Sequence, residues 1–257
     1  MKKTFIEEKT KVELRNPILI EGLPGLGMIG RIATRYLARQ LKAKKLAELY
    51  SPHFPYYVIV SKKGEVRLLR GNFFFSKDKA GEGDIIFLTG DSQAQTIEGQ
   101  YDIAGVILDF AEKYNVRTIV TVGGYRKEPE ETPKVVAVST NRQLLDRALK
   151  ADAVASPTGN PIVGTAGLLL GLAKFRNIDA ICLLGETRGY LPDPKAAKSV
   201  LQVLKKMFRL EVDLSGLDKE IAESKRITER MHEIEEQRES YAQKVRRTEE
   251  ERVTYIS

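Results

Sequence analysis

The sequence predicts an α/β fold: a mostly parallel sheet covered by helices on both faces, followed by a long charged helix. Three observations carry this. Short apolar runs of strand length alternate with segments of helical period as far as residue 209, the pattern of strand–helix–strand units. Glycine- or proline-bearing loops follow the apolar runs. Composition then changes after Leu217: between Asp218 and Arg252, 20 of 35 residues are charged and none is Gly or Pro, as expected of a solvated helix. The boundaries drawn are 1–215 for the α/β core and 216–257 for a charged helical extension.

The elements follow in order. Asn16-Pro17 precedes a short strand, Ile18–Glu21. The loop GLPGLG leads into a helix from about Met28 to Leu41, with Ile29, Ala33, Tyr36, Leu37 and Leu41 near helical spacing. Ala47–Tyr50 and Tyr56–Val60 read as strands, and the turn Lys62-Lys63-Gly64-Glu65 joins the second to Val66–Arg70 as a hairpin. Asn72–Phe75 adds a strand. Ile85–Leu88 is of buried type, and the polar loop from Thr89 to Glu98 leads to a helix from about Gly99 to Tyr114. Thr118–Val122 is a strand ending at Gly123-Gly124, and Tyr125 to Pro133 reads as an exposed loop. Val135–Ser139 is a strand, and Asn141 can cap the helix that ends near Lys150. Ile162–Phe175 is an apolar helix. Ile178–Leu184 is a central strand, apolar on both faces. Gly185–Pro194 is a loop before a helix from about Lys195 to Phe208. The charged extension carries a thin apolar stripe, Ile227, Met231, Ile234, Tyr241 and Val245, so it contributes little to a core.

Composition narrows the function classes. No apolar run approaches the roughly 20 residues of a membrane-spanning helix, and MKKTFIEEKTKVEL has no apolar stretch of a secretion signal; no membrane partner and a cytoplasmic protein are expected. The one cysteine, Cys182, lies in the apolar run IDAICLL and reads as a small buried residue. The net charge of +7 comes from 42 basic and 35 acidic residues interspersed along the chain, without the basic stripe of a nucleic-acid binder. High charge with no Trp leans thermophilic.

Four candidate sites can be weighed. Gly25, Gly27 and Gly30 fit G-x-G-x-x-G between a strand and a helix, a loop that can cradle dinucleotide phosphate, and Glu48 stands about 20 residues on, where an acid can bind a ribose hydroxyl. Against it, Pro24 sits in the loop, and glycines also serve close helix–strand packing. His53, in the turn SPHFPYY, packs on aromatics or belongs to a hydrolytic triad for which no G-x-S-x-G serine exists; His232 is solvated, and two histidines give no zinc site. In GETRGYLPDP, Glu186, Arg188 and Asp193 either bind an anion or sugar, or Glu186 pairs with Arg188 in a turn shaped by Gly189 and two prolines. No metal or cofactor is expected.

Three segments together resemble one family: GLPGLGMIG (residues 22 to 30), SPTGNPIVGTAGLLLGLAK (156 to 174) and GETRGYLPDPKAA (185 to 197). They resemble, in order and over about residues 10 to 210, the proteasome assembly chaperones and their archaeal homologues. The resemblance implies a nucleoside-phosphorylase-like α/β fold without catalysis, a homo-oligomer, and partnership with proteasome α-subunits or a paralogous assembly factor. It makes Gly22, Gly25, Gly27, Gly30, Gly185, Glu186, Arg188, Gly189 and Asp193 structural motif residues. It also implies a charged C-terminal extension whose hydrophobic–Tyr–any end docks between α-subunits. This chain ends Val253-Thr254-Tyr255-Ile256-Ser257, with its tyrosine one place early, a displacement of up to about 3.5 Å in extended chain. The expected contacts are Val253, Tyr255, Ile256 and Ser257. The alternative function is an enzyme that binds a nucleoside or dinucleotide with the loops at the strand ends.

Overall fold

A computed structural model of the chain describes residues 1–77, 83–128, 131–227 and 230. It divides into two compact units, 1–215 and 216–257.

The first unit is built on a nine-stranded sheet. Its strands are β1 (Phe5–Glu8), β2 (Ile18–Gly22), β3 (Lys44–Tyr50), β6 (Gly71–Ser76), β7 (Ile85–Gly90), β8 (Thr118–Arg126), β9 (Val135–Ser139), β10 (Val154–Ala155) and β11 (Asp179–Thr187), in the spatial order β1-β3-β6-β7-β2-β8-β11-β9-β10. β4 (Val58–Val60) and β5 (Val66–Leu68) form a separate antiparallel ribbon. The helices are α1 (Ile29–Gln40), α2 (Ile97–Lys113), α3 (Arg142–Lys150), α4 (Thr165–Ala173) and α5 (Pro194–Met207).

The expected α/β class is observed, with the parallel pairing concentrated at the centre. β7, β2, β8 and β11 run parallel, and their cores Ile85–Leu88, Leu19–Ile20, Ile119–Val122 and Ala180–Leu184 are buried on both faces, as parallel strands must be. The flanks are antiparallel: β6 on β7, β3 on β6, β1 on β3, and β9 on β11. α2 and α4 pack together on one face; α1 and α5 pack together on the other, with α3 beside α5.

The helix starts follow local chemistry. Thr96 accepts from the Gly99 amide (3.1 Å), Asn141 from Leu144 (3.1 Å) and Asp193 from Ala196 (2.9 Å), each satisfying a donor the first turn leaves open. Pro194 stands at the start of α5, where its missing N–H costs nothing.

Two sequence expectations are corrected. The stretch from Tyr125 is not loop at its start: β8 continues through Arg126 because Tyr125 and Arg126 pair with Glu186 and Thr187. For the same reason Gly185 to Thr187 are strand, not loop. The hairpin expected around Lys62–Glu65 is observed, with strands Val58–Val60 and Val66–Leu68 that stand apart from the main sheet. β1 and β10 were not expected; FIEE and VA are too short to show a period. In the second unit, residues 217–227 are helical. Arg230 is helical as well, and the rest of the expected charged helix, with Val253, Tyr255, Ile256 and Ser257, lies outside the described residues.

Candidate functional site

The loops at the carboxyl ends of β2, β7, β8 and β11 converge around the glycine segment. Gly22 and Gly30 face each other where α1 crosses β2. A Cβ on Gly22 would lie 2.1 Å from the Gly30 carbonyl oxygen, and one on Gly30 would lie 2.3 Å from the Val122 carbonyl oxygen. Both positions are therefore closed to any side chain. Gly27 and Met28 both take left-handed backbone, at φ 58° and 54°, and turn the chain into α1.

The late motif closes over that turn. The Asp193 amide donates to the Gly27 carbonyl (2.8 Å). The Thr187 hydroxyl donates to Asp193 Oδ2 (2.8 Å) and accepts from the Gly189 amide (3.1 Å), while Oδ1 caps α5. Asp193 is thus consumed by backbone and hydroxyl partners. Gly189, at φ 84°, and Gly124 leave room for Leu26: their Cβ atoms would stand 2.8 Å from Leu26 Cδ2 and 2.7 Å from the Leu26 carbonyl oxygen. Gly185 allows α5 to approach β11, with the Ala196 carbonyl oxygen 3.1 Å from its would-be Cβ. Gly25 is exposed, with Gln93 as its neighbour.

Glu186 and Arg188 do not pair with each other. They flank Thr187 at the end of β11, and each finds a partner at the exit of β8. Lys127 Nζ donates to buried Glu186 Oε1 (2.8 Å), and the Lys134 amide donates to Oε2 (3.1 Å). Arg188 donates from Nε to both Glu128 oxygens (2.7 and 3.0 Å) and also from Nη2. The side-by-side strand exits impose this exchange. Sequence reasoning missed Lys127 and Glu128, because the segment containing them was expected to be exposed loop.

The crevice between the β2 and β7 exits is occupied by Gln93. Its Nε2 donates to the Pro24 carbonyl (2.7 Å), and its Oε1 accepts from the Thr165 amide at the start of α4 (3.1 Å). The Thr165 hydroxyl in turn donates to Gln100 Oε1 (2.7 Å). A neutral amide thereby takes the place at a helix start where an anion binds in phosphate sites. Nothing in the spacing of the polar loop singled Gln93 out.

The ribose partner required by the dinucleotide reading is absent from the crevice. Glu48 lies on β3, separated from β2 by β6 and β7. It is held by Lys45 (2.8 Å), Arg70 (2.6 Å) and the Tyr50 hydroxyl (2.8 Å), and these partners overcome the upward push of burial to bring its pKa down to about 2. Glu21, beneath the glycine loop, is buried; its Oε1 accepts from the Leu23 amide (2.9 Å) and its Oε2 has no partner. Burial pushes its pKa up to about 7 against that hydrogen bond.

The remaining candidates form no catalytic group. His53 packs against Gly99, with Nε2 3.8 Å from Asp102. Cys182 is fully buried, and burial pushes its thiol up to about 12. Among the described residues, no cluster of three His, Cys, Asp or Glu could hold a metal, and no helix is long and apolar enough to cross a membrane.

The fold recurs in known proteins. Pyrococcus furiosus PbaB, described as an archaeal proteasome activator, shares 39% identity at a TM-score of 0.86, over 90% of this chain and 100% of that one. P. furiosus PbaA, described as an archaeal homolog of proteasome-assembly chaperone, shares 28% identity at a TM-score of 0.71, over 90% and 96%. An uncharacterized protein of Methanocaldococcus jannaschii is 34% identical over 226 residues, 87% of this chain and 86% of its own length. The model of the PAC2 family matches residues 19–234, from the strand before the glycine turn into the charged segment. This chain, with glycine turns that seat α1 and α5 on a central parallel sheet, belongs to the PAC2 family.

Proposed function

We propose that this chain is a non-enzymatic, cytoplasmic protein that engages the proteasome, or a paralogous assembly factor, as a chaperone or activator, and that it does so as a homo-oligomer. The observation that carries this reading is the likeness to PbaB, which extends over the whole of that chain at 39% identity. The strand-end loops support it. Asp193, Glu186, Arg188 and Gln93 are each engaged by the protein's own groups, so the residues that an enzyme would turn toward a substrate hold the loops together.

The contact itself is assigned to Val253, Tyr255, Ile256 and Ser257. A single short tail binds weakly, but several tails on one oligomer reinforce each other, and linking such contacts raises avidity by about 10² to 10⁴. The test is peptide hydrolysis by an archaeal core proteasome, with the full chain and with a chain ending at Arg252. The full chain should bind the proteasome and change its peptide hydrolysis; the shortened chain should keep its oligomeric state and lose binding. Equal binding by both chains would refute the tail assignment. No binding by the full chain to the proteasome or to assembly-factor paralogues would refute the function.

A further inference from the structure

A groove of about 570 Å³ lies between α1 and the sheet at β6 and β7, away from the loops described above. Its wall is α1, which presents Arg31, Arg35 and Arg39 at four-residue spacing, continued by Lys42. Its floor includes Thr89, Arg70 and Phe74.

The charge here is unbalanced. Two acids stand in or beside the groove, and both are taken. Asp91 is gripped by Arg67 (2.5 and 3.1 Å) and by the Arg70 amide (3.1 Å). Glu48 is gripped by Lys45 and Arg70. Arg31, Arg35, Arg39 and Lys42 have no ion-pair partner among the described residues; Arg39 lies 5.9 Å over the Tyr36 ring. Loss of water around Arg35, together with repulsion from Arg31 and Arg39 and against the attraction of Asp91, lowers its affinity for its proton. The floor adds an independent sign of a missing partner: Thr89 Oγ1 and Arg70 Nε are buried with no hydrogen-bond partner. Buried polar atoms left so are costly.

We propose that this groove binds an extended acidic segment of another protein, with alternate carboxylates meeting Arg31, Arg35 and Arg39. The spacing selects this partner. Four residues of helix advance about 6 Å, and alternate side chains of an extended strand repeat at about 6.7 Å. Arginine forks match carboxylates bidentately. Single-stranded nucleic acid is a poorer fit, because it needs aromatic stacking platforms. Phe74, the groove's aromatic residue, has Lys45 Nζ 5.1 Å over its ring.

The test uses the full-length protein and a fluorescent peptide of alternating Glu and Thr. Controls are a peptide of the same composition with its glutamates in one block, and a ten-residue oligothymidylate. The alternating peptide should bind best, and binding should weaken as salt rises. Replacing Arg31, Arg35 and Arg39 together by Ala should weaken it at least about tenfold without lowering the melting temperature, since Ala suits an exposed helix. The single change Arg35→Glu should also weaken it. Equal or tighter binding of the blocked peptide or the oligonucleotide, or unchanged binding by both variants, would overturn the proposal.

Discussion

Glu21 is a carboxylate buried with one oxygen unpartnered. It ends an apolar run, and in the sequence it reads as the polar terminus of a strand. The fold places it inside, because β2 has neighbours on both sides and the glycine turn folds back over its end. Only one of its oxygens is bonded. Its pKa rises from the ordinary 4.5 to about 7 because burial disfavours the charge. The folded state therefore holds this proton between pH 4.5 and 7 while the unfolded state releases it, so stability falls as pH rises through that window. At roughly 1.4 kcal/mol per pKa unit, the cost reached above pH 7 is about 3 kcal/mol. Glu21→Gln removes the titration. Denaturant unfolding at pH 8 should show the variant more stable than the wild type by about 2–3 kcal/mol, with the difference small at pH 5. A constant difference across that range would mean that Glu21 stays charged when buried. Glu48 acts in the opposite sense: its pKa is lowered, so its stabilisation is present above pH 4.5 and fades as pH falls toward 2.

At the scale of elements, strand alternation was legible because the central strands are buried on both faces and the helices carry one-sided apolar patterns. What stayed hidden was set by partners distant in sequence. The polar exits of β8 and β11 carry no apolar run; they are strands because Tyr125 to Arg126 lie beside Glu186 to Thr187. The direction of β9 was equally unreadable, since β11 pairs between β8 and β9 although it follows both in the chain. The glycine spacing was visible, but spacing alone cannot separate a loop that admits phosphate from one that admits another backbone. The contacts at Gly27, the glycine a phosphate would approach, decide it, because Thr187 Oγ1 and Asp193 Cβ already stand 3.0 and 3.3 Å from its would-be Cβ, while Gly22 and Gly30 are filled by backbone carbonyl oxygen. A neighbouring helix supplies the control, since a Cβ on Gly105 of α2 would meet nothing within 4 Å. Gly30→Ala should cost about 3 kcal/mol or more, because backbone cannot yield as a side chain can. Gly105→Ala should stabilise by about 0.5–1 kcal/mol through helix propensity. Urea midpoints of the two variants moving in the same direction would refute the assigned role of Gly30.

At the scale of the molecule, strand order determines where a ligand could enter. β2 lies between β7 and β8; its exit leads to α1 on one face, and the exit of β7 leads to α2 on the other. In open α/β sheets such a divergence opens a crevice at the carboxyl ends of the strands. Here Gln93 bridges it, from the Pro24 carbonyl to the first amide of α4, and Glu48 is two strands removed from it. A nucleotide would have to break both Gln93 hydrogen bonds and find its ribose acid elsewhere. The thermal midpoint should therefore not move with nucleosides plus phosphate, or with dinucleotides, at millimolar concentration. A ligand present at 100 times its dissociation constant adds about 2.7 kcal/mol, and for a chain of this size each kcal/mol raises the midpoint by about 2–4 °C. A rise of about 5 °C or more with any member of that panel would show that the crevice opens, and would return the strand-end loops to the chemistry of a small-molecule site.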